Sequence, residues 1–495
     1  MTTQDDHPVD HSEGPRGRPL TVGQTSENDA EGLGGISLTR TRVGALLMLI
    51  LAVGLVLRLH DYTAAPRPSE NVDELAWAWA GLSLLQDHSP TSWSYLPSYP
   101  HHFPLREPDN GRILPGVHNW LDHPPLFALL IGGFAWLAGE RQFAEVSDSV
   151  IRLPVIALSV VTLLLSYLLG RRLLGRLPAL LATSLLAVAP GAVLGSRVVE
   201  SEALLAPLLL LALLLLHRLL ADEGARVETV LLLLVCAIAP MVKVPGVSFG
   251  VIFAVVLAVR GRRRLAGLAL AMTGLGVLAY VGYGLAVGWR EFLGVILAQA
   301  GRHGGLLSGY EFIVSPSGFS DAVQLHDGWW LLGWLALALV ASLGRARGAD
   351  LLLAWPLACF AITIMLMADV GNAYRYGWYR LAVYPLAYLA AADLVVSTIR
   401  RPTLVQVALL VTVPGATATL ALSGRGGGLN QAFLLLDLLV VTLLVGAGIV
   451  SSAARHDRGG WKSRWPQLAA AAAVALILAL NVAQSFRLGD VYRSL

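Results

Sequence analysis

The chain has 495 residues, of which 55% are hydrophobic and only 14% charged, with a mean hydropathy of +0.64. Soluble domains carry about 25% charged residues, so this composition excludes a soluble enzyme and describes a polytopic membrane protein. The formal net charge of +3 comes from arginines set in short clusters between apolar runs, which is a topological signal and not a nucleic-acid groove.

Residues 1–38 are rich in Asp, Glu, Ser, Gly and Pro, a composition that buries too little surface to offset chain entropy and reads as a disordered cytoplasmic tail. Arg40 and Arg42 precede an apolar run over 43–59, too deep in the chain for a cleaved signal peptide. This is the first span, and the positive-inside rule places the polar interval 60–150 on the outer face. The next apolar run, 124–139, is short for a span of about 20 residues. Keeping it outside as a juxtamembrane helix brings the clusters Arg171/Arg172/Arg176, Arg260–Arg264, Arg345/Arg347, Arg400/Arg401 and Arg455–Arg464 all to the inner side.

Further spans are predicted at 151–170, 178–195, 203–220, 228–243, 246–259, 265–287, 329–343, 350–367, 380–398, 403–422, 430–452 and 466–484, about thirteen in all with the first. Residues 39–495 then form one integral-membrane domain. Its outer loops are 60–150, a tight one at 196–202, a longer one at 288–328, and 368–379. Cys236 and Cys359 each lie inside an apolar run and read as packing residues, with no disulfide framework or thiolate cluster implied.

The polar residues that composition does not explain gather on the outer side. In Asn71-Val-Asp73-Glu74, Asn71 suits a helix cap with Glu74 returning the hydrogen bond, and two acids suit the helix dipole. The following Ala/Trp-rich segment, 75–85, is apolar on every face, so its acidic end is predicted to point into a shared cavity. Asp122-His123 precedes two prolines that start a helix. Arg197, Glu200 and Glu202 share a connection so short that all three stand at one membrane surface, either as anchors or as site residues. Lys243 lies between Pro240 and Pro245 at a broken helix end; it either snorkels to the interface or lines a cavity. The aromatic stretch 372–380 carries Tyr374, Arg375 and Arg380, and arginines on the outer side point to an anion. Carboxylates from two outer loops thus face cations from two others, which suits a lipid-linked phosphate leaving group opposite a hydroxyl or amine nucleophile.

These residues resemble the superfamily-C (GT-C) integral-membrane glycosyltransferases, in the branch of protein O-mannosyltransferases and lipid A aminoarabinose transferases. Asp73-Glu74 before an Ala/Trp-rich helix is similar to that family's Asp-Glu motif, and Asp122-His-Pro-Pro-Leu to its His-Pro-Pro-Leu or Lys-Pro motif. The segment from Arg152-Leu-Pro to Ser196-Arg-Val-Val-Glu-Ser-Glu202 follows the next two spans and the second outer-loop acid, aligned here to Glu202 with Glu200 as the alternative. Val242-Lys-Val-Pro-Gly stands where the family has Thr-Lys-Gly, and Arg380-Leu-Ala-Val-Tyr-Pro is similar to a later Arg-Tyr-x-x-Pro pattern without the tyrosine directly after arginine. The likeness covers residues 43–260 well and the remainder loosely.

The resemblance implies an all-α GT-C fold with outer juxtamembrane helices. It implies transfer of a sugar from a polyprenyl-phosphate donor to a protein, lipid or glycan acceptor, with inversion. Asp73 would be the base, with Glu74 and Glu202 as further catalytic residues and His123, Arg197, Lys243, Tyr374, Arg375 and Arg380 as substrate-binding residues. Asp122, with Glu74 or Glu202, would be the ligand of a divalent metal ion (Mg, Mn, Ca or Zn) if one is used. The rivals are a lipid-linked oligosaccharide or polymer ligase, which usually adds a large soluble C-terminal domain, and, from another class, a transporter or flippase, whose repeated halves and midplane charges have no clear counterpart in the sequence.

Overall fold

A computed structural model describes residues 39–68, 70–221, 226–301, 311–319, 324–325, 327–342, 376–400, 403–410 and 465–494, with a few single positions between 413 and 449. The tail 1–38, the predicted spans 350–367 and 430–452, and most of 403–422 lie outside the described residues.

The described chain is mainly helical, and five helices are long and apolar enough to cross a membrane. They are α1 (Arg40–Leu59), α4 (Asp148–Leu174), α7 (Glu202–Leu220), α10 (Arg263–Ala300) and the helix Trp465–Phe486. At 1.5 Å per residue the 27 residues of α4 reach about 40 Å, beyond the roughly 30 Å hydrocarbon core. Its neighbour α7 has 61% of its apolar window buried inside the protein against 22% for α1, so α7 is central and α1 peripheral. Leu205, Leu209, Leu213 and Leu216 of α7 have no exposure at all.

The polar interval holds α2 (Asp73–Asp87) and α3 (Pro125–Leu137). With 13 residues, α3 spans about 20 Å and falls short of a crossing. The two helices lie backbone to backbone where Gly81 meets Ala128 and Gly132 meets Leu82; a Cβ at either glycine would overlap main-chain atoms. Helices approach this closely only through small residues.

Between α2 and α3 the chain forms a sheet that the sequence reading passed over. Strand β3 (Ile113–His118) pairs antiparallel with both β1 (Thr91–Trp93) and β2 (Phe103–Arg106). Side chains stitch it to α2: Ser92 Oγ donates to Ala76 O (3.0 Å), Trp93 Nε1 to Val72 O (2.9 Å), and Thr91 N to Ser83 Oγ (2.7 Å).

Two predicted boundaries change. The span 178–195 divides into α5 (Arg176–Val188) and α6 (Pro190–Gly195), because Pro190 forces the preceding Ala189 out of helical geometry, at ψ 127°. The loop predicted from 288 onward begins as helix: α10 continues past a non-helical Gly288 to Ala300, presenting Trp289, Leu293 and Leu297 on one exposed stripe. Val242 ends α8 (Arg226–Val242), and after Lys243 a single 3-10 turn leads into α9 (Val247–Val259), the predicted broken helix. The free thiol of Cys236 is buried in α8, a packing position; Cys359 lies outside the described residues.

Candidate active site

The start of α2 carries the first acids, but the cap expected from Asn71 and Glu74 is not formed. Asn71 Oδ1 accepts from Asp73 N at 3.2 Å, and the Glu74 side chain turns away from the helix end. Its carboxylate, without solvent exposure, takes a two-pronged pair from Arg152 of α4: Nε to Oε1 at 3.1 Å and Nη2 to Oε2 at 2.6 Å. Val199 N donates to the same Oε1 at 2.9 Å. Arg152 completes its set on Tyr62 O, Pro66 O and Asp148 Oδ2. A buried pair satisfied on both sides holds elements together; here it joins α2, α4 and the connection after α6.

Arg197, also fully buried, donates to Leu57 O (2.6 Å), His60 O (2.7 Å) and Ala65 O (3.1 Å). Two of these carbonyls, Leu57 and His60, are left open at the C-terminal end of α1, and Ala65 lies in the loop that follows. Neither Glu74 nor Arg197 therefore presents a charge to a substrate in this arrangement.

Asp73, Glu200, Glu202, Lys243 and Tyr379 form the cluster itself. Glu202, the first residue of α7, is buried and accepts from Lys243 Nζ at 2.7 Å. The Lys243 ammonium sits 4.7 Å from the centroid of the Tyr379 ring, a cation–π contact. Burial pulls this amine down, but Glu202 foremost, with Tyr379 and Glu200, outweighs it and leaves the ammonium held above its ordinary value. Burial pushes the Tyr379 phenol up to about 12 against the pull of Lys243.

Glu200, in the connection between α6 and α7, is 2% exposed. It accepts from Asn71 Nδ2 on Oε1 and from Trp77 Nε1 on Oε2, both at 3.4 Å. Burial pushes its carboxyl well above the usual range, Lys243 opposes, and Asp73 and Glu202 add to the rise. Asp73 is thus close enough to act electrostatically on both Glu200 and Tyr379.

His123 is brought to the edge of this cluster by stacking on Trp77, with ring centroids 4.7 Å apart and planes 18° from parallel. Its neighbour Asp122 accepts from Tyr99 Oη at 2.7 Å. Arg380 follows Tyr379 in the chain, but its guanidinium enters a second polar set. It donates to Ser317 Oγ and Ser315 O, each at 2.7 Å, and lies over the rings of Trp330 and Phe312. Asp327 anchors that set, accepting from Tyr388 Oη and from the amides of Trp329 and Trp330. Tyr374 and Arg375 lie outside the described residues.

The candidate metal ligands do not fit a metal-holding group. Glu74 is taken by Arg152, Glu202 by Lys243 and one oxygen of Asp122 by Tyr99. Among the described residues no three His, Cys, Asp or Glu side chains are grouped to hold an ion. Residues missed by sequence reasoning are Asn71, Trp77 and Tyr379 as cluster members and Arg152 as the partner of Glu74. Trp77 and Tyr379 read from the chain as ordinary membrane aromatics, with no distinguishing signal.

Residues 122–283 match the family of dolichyl-phosphate-mannose-protein mannosyltransferases. The chain superposes on ArnT from Cupriavidus metallidurans bound to undecaprenyl phosphate, with a TM-score of 0.53 and 16% identity over 90% of this chain and 78% of that one. The apo state of the same protein gives 0.50 and 17%, covering 90% and 77%. The fold is that of the GT-C glycosyltransferases. No curated protein sequence gives a significant match. The family match begins at Asp122 and ends within α10. It therefore includes Glu200, Glu202 and Lys243, while Asp73 stands before it and Tyr379 after it.

Proposed function

We propose that the protein transfers a sugar from a polyprenyl-phosphate donor to an acceptor at the outer face of the membrane, with inversion at the anomeric carbon. The observation that carries this reading is the meeting of Asp73, Glu200 and Glu202 from two loops with the Lys243 ammonium from a third, in a buried setting. The fold neighbour bound to undecaprenyl phosphate supports a lipid-phosphate donor. Asp73 takes the proton of the acceptor O–H or N–H as the acceptor attacks the anomeric carbon. The bond from that carbon to the phosphate oxygen breaks, and its electron pair leaves with the polyprenyl phosphate. Lys243, fixed by Glu202 and Tyr379, and His123, fixed on Trp77, face the leaving phosphate; Arg380, and Tyr374 and Arg375 nearby in sequence, are assigned to donor binding. General-base assistance supplies about 10²- to 10⁴-fold, and fixed charges at the leaving group supply further stabilisation. Glu74 and Arg197 we assign to holding the site together.

The test is transfer by purified protein in lipid nanodiscs, offered radiolabelled polyprenyl-phosphate sugars with membrane extract as acceptor. Labelled product together with free polyprenyl phosphate is expected. Intact donors after prolonged incubation with folded protein, across hexose and pentose forms, would overturn the reading.

A further inference from the structure

Glu200 occupies a position that the transfer chemistry leaves without a task. It is nearly fully buried beside two other carboxylates, a costly placement unless its hydrogen bonds have a purpose. Both of its oxygens are directed at the first polar loop, and each reaches a different chemical group through one intermediary. Oε1 receives Asn71 Nδ2, and the other end of the same amide, Oδ1, receives the backbone N–H of Asp73. Oε2 receives Trp77 Nε1, and the face of the same indole carries the His123 ring at 4.7 Å. Trp77 is held further by edge contacts with Trp120 and Phe127, which fix the plane of the indole whose N–H goes to Glu200.

We propose that Glu200 is a positioning residue: its two oxygens hold Asp73 through Asn71 and His123 through Trp77, setting the base and the leaving-group side of the site at a fixed separation. This rests on the roles assigned above to Asp73 and His123. A carboxyl group suits the task because each of its two oxygens keeps acceptor capacity, protonated or not, so two N–H donors from one helix end are matched by one side chain. Glutamine retains a single accepting oxygen and sets its own N–H₂ against one of the two donors. Alanine retains neither.

The experiment compares wild type, Glu200→Gln and Glu200→Ala by steady-state transfer and, separately, by the rate at which diethyl pyrocarbonate modifies His123, read by mass spectrometry of its peptide. Misplacing reacting groups by about 1 Å costs roughly 10²-fold. We expect kcat to fall by about that factor in Glu200→Ala with little change in donor KM, Glu200→Gln to lie between the two, and His123 to react several-fold faster as the stack loosens. A residue serving only stability would lower the yield of folded protein and leave the kcat of the folded fraction unchanged. Unchanged kcat or unchanged His123 reactivity in Glu200→Ala overturns the proposal. If Glu200→Ala does not accumulate, Glu200→Gln decides by the same two measurements. Should wild type transfer no sugar while His123 reactivity still follows the series, the strut stands and the transferase reading falls.

Discussion

Lys243 Nζ and Glu202 Oε1 are 2.7 Å apart, joining the break between α8 and α9 to the first turn of α7. Both side chains are nearly devoid of solvent, at 7% and 0% exposure, so neither charge has water to turn to. Removing one partner of such a pair costs about 3–5 kcal/mol, because the other is left buried and uncompensated. Lys243→Gln is therefore expected to lower both stability and donor use, and the double variant Lys243→Gln/Glu202→Gln to recover most of the stability but not the activity. Thermal unfolding and donor kinetics on the two variants check this. Recovery of activity along with stability would return the pair to a purely structural role.

The orientation of the chain is tested by thiol labelling in intact cells. Tyr95 is 69% exposed in the polar interval, and Arg171 is exposed in the last turn of α4, at its opposite end. With Cys236 and Cys359 replaced by alanine, Tyr95→Cys should react with an impermeant reagent and Arg171→Cys should not. The inverse pattern would place the acidic cluster on the cytoplasmic side.

Glu200 gives the stability a pH dependence of definite sign. Burial raises its folded pKa well above the ordinary 4.5, so above that pH the folded state keeps a proton that the unfolded chain has lost. The stability this confers is complete below about pH 4.5 and is lost as pH rises through the folded value. The melting temperature of Glu200→Gln, which carries no such proton, should gain on that of wild type as pH is raised from about 4.5 upward. A constant difference across that range would mean that Glu200 is ionised in the folded protein.

Much of this was legible because apolar runs and arginine clusters report on membrane spans without any knowledge of contacts. The break at Lys243 was legible too, since Pro240 and Pro245 bracket it. What stayed hidden was the choice of partners. Glu74 finds Arg152 across 78 positions and Glu202 finds Lys243 across 41, and nothing local distinguishes Glu74, which is consumed by its pair, from Asp73 beside it. The sheet was invisible for another reason: its strands are three to six residues long and contain Pro104, Pro115 and Gly116, so no alternation of period two develops. Trp77 and Tyr379 acquire meaning only from Glu200 and Lys243, which the fold brings to them.

The neighbours Asp73 and Glu74 give the sharpest test, because one peptide bond separates two different physical situations. Glu74 is sealed against Arg152, so Glu74→Gln leaves a buried guanidinium short of its counter-charge and is expected to cost about 3–5 kcal/mol. Asp73 is half-buried at the helix start, where the dipole contribution of its charge is only about 0.3–1 kcal/mol; asparagine keeps its size, so Asp73→Asn should melt close to wild type. In transfer the order reverses in kind. An amide does not accept a proton near neutral pH, so Asp73→Asn should retain donor binding and lose about 10²-fold or more in kcat. The loss in Glu74→Gln should instead track its lost folded fraction, with kcat per folded molecule much less affected. Donor binding, thermal unfolding and single-turnover transfer on the two variants separate these effects. Near-wild-type transfer by well-folded Asp73→Asn would remove Asp73 as the base, whatever Glu74→Gln does.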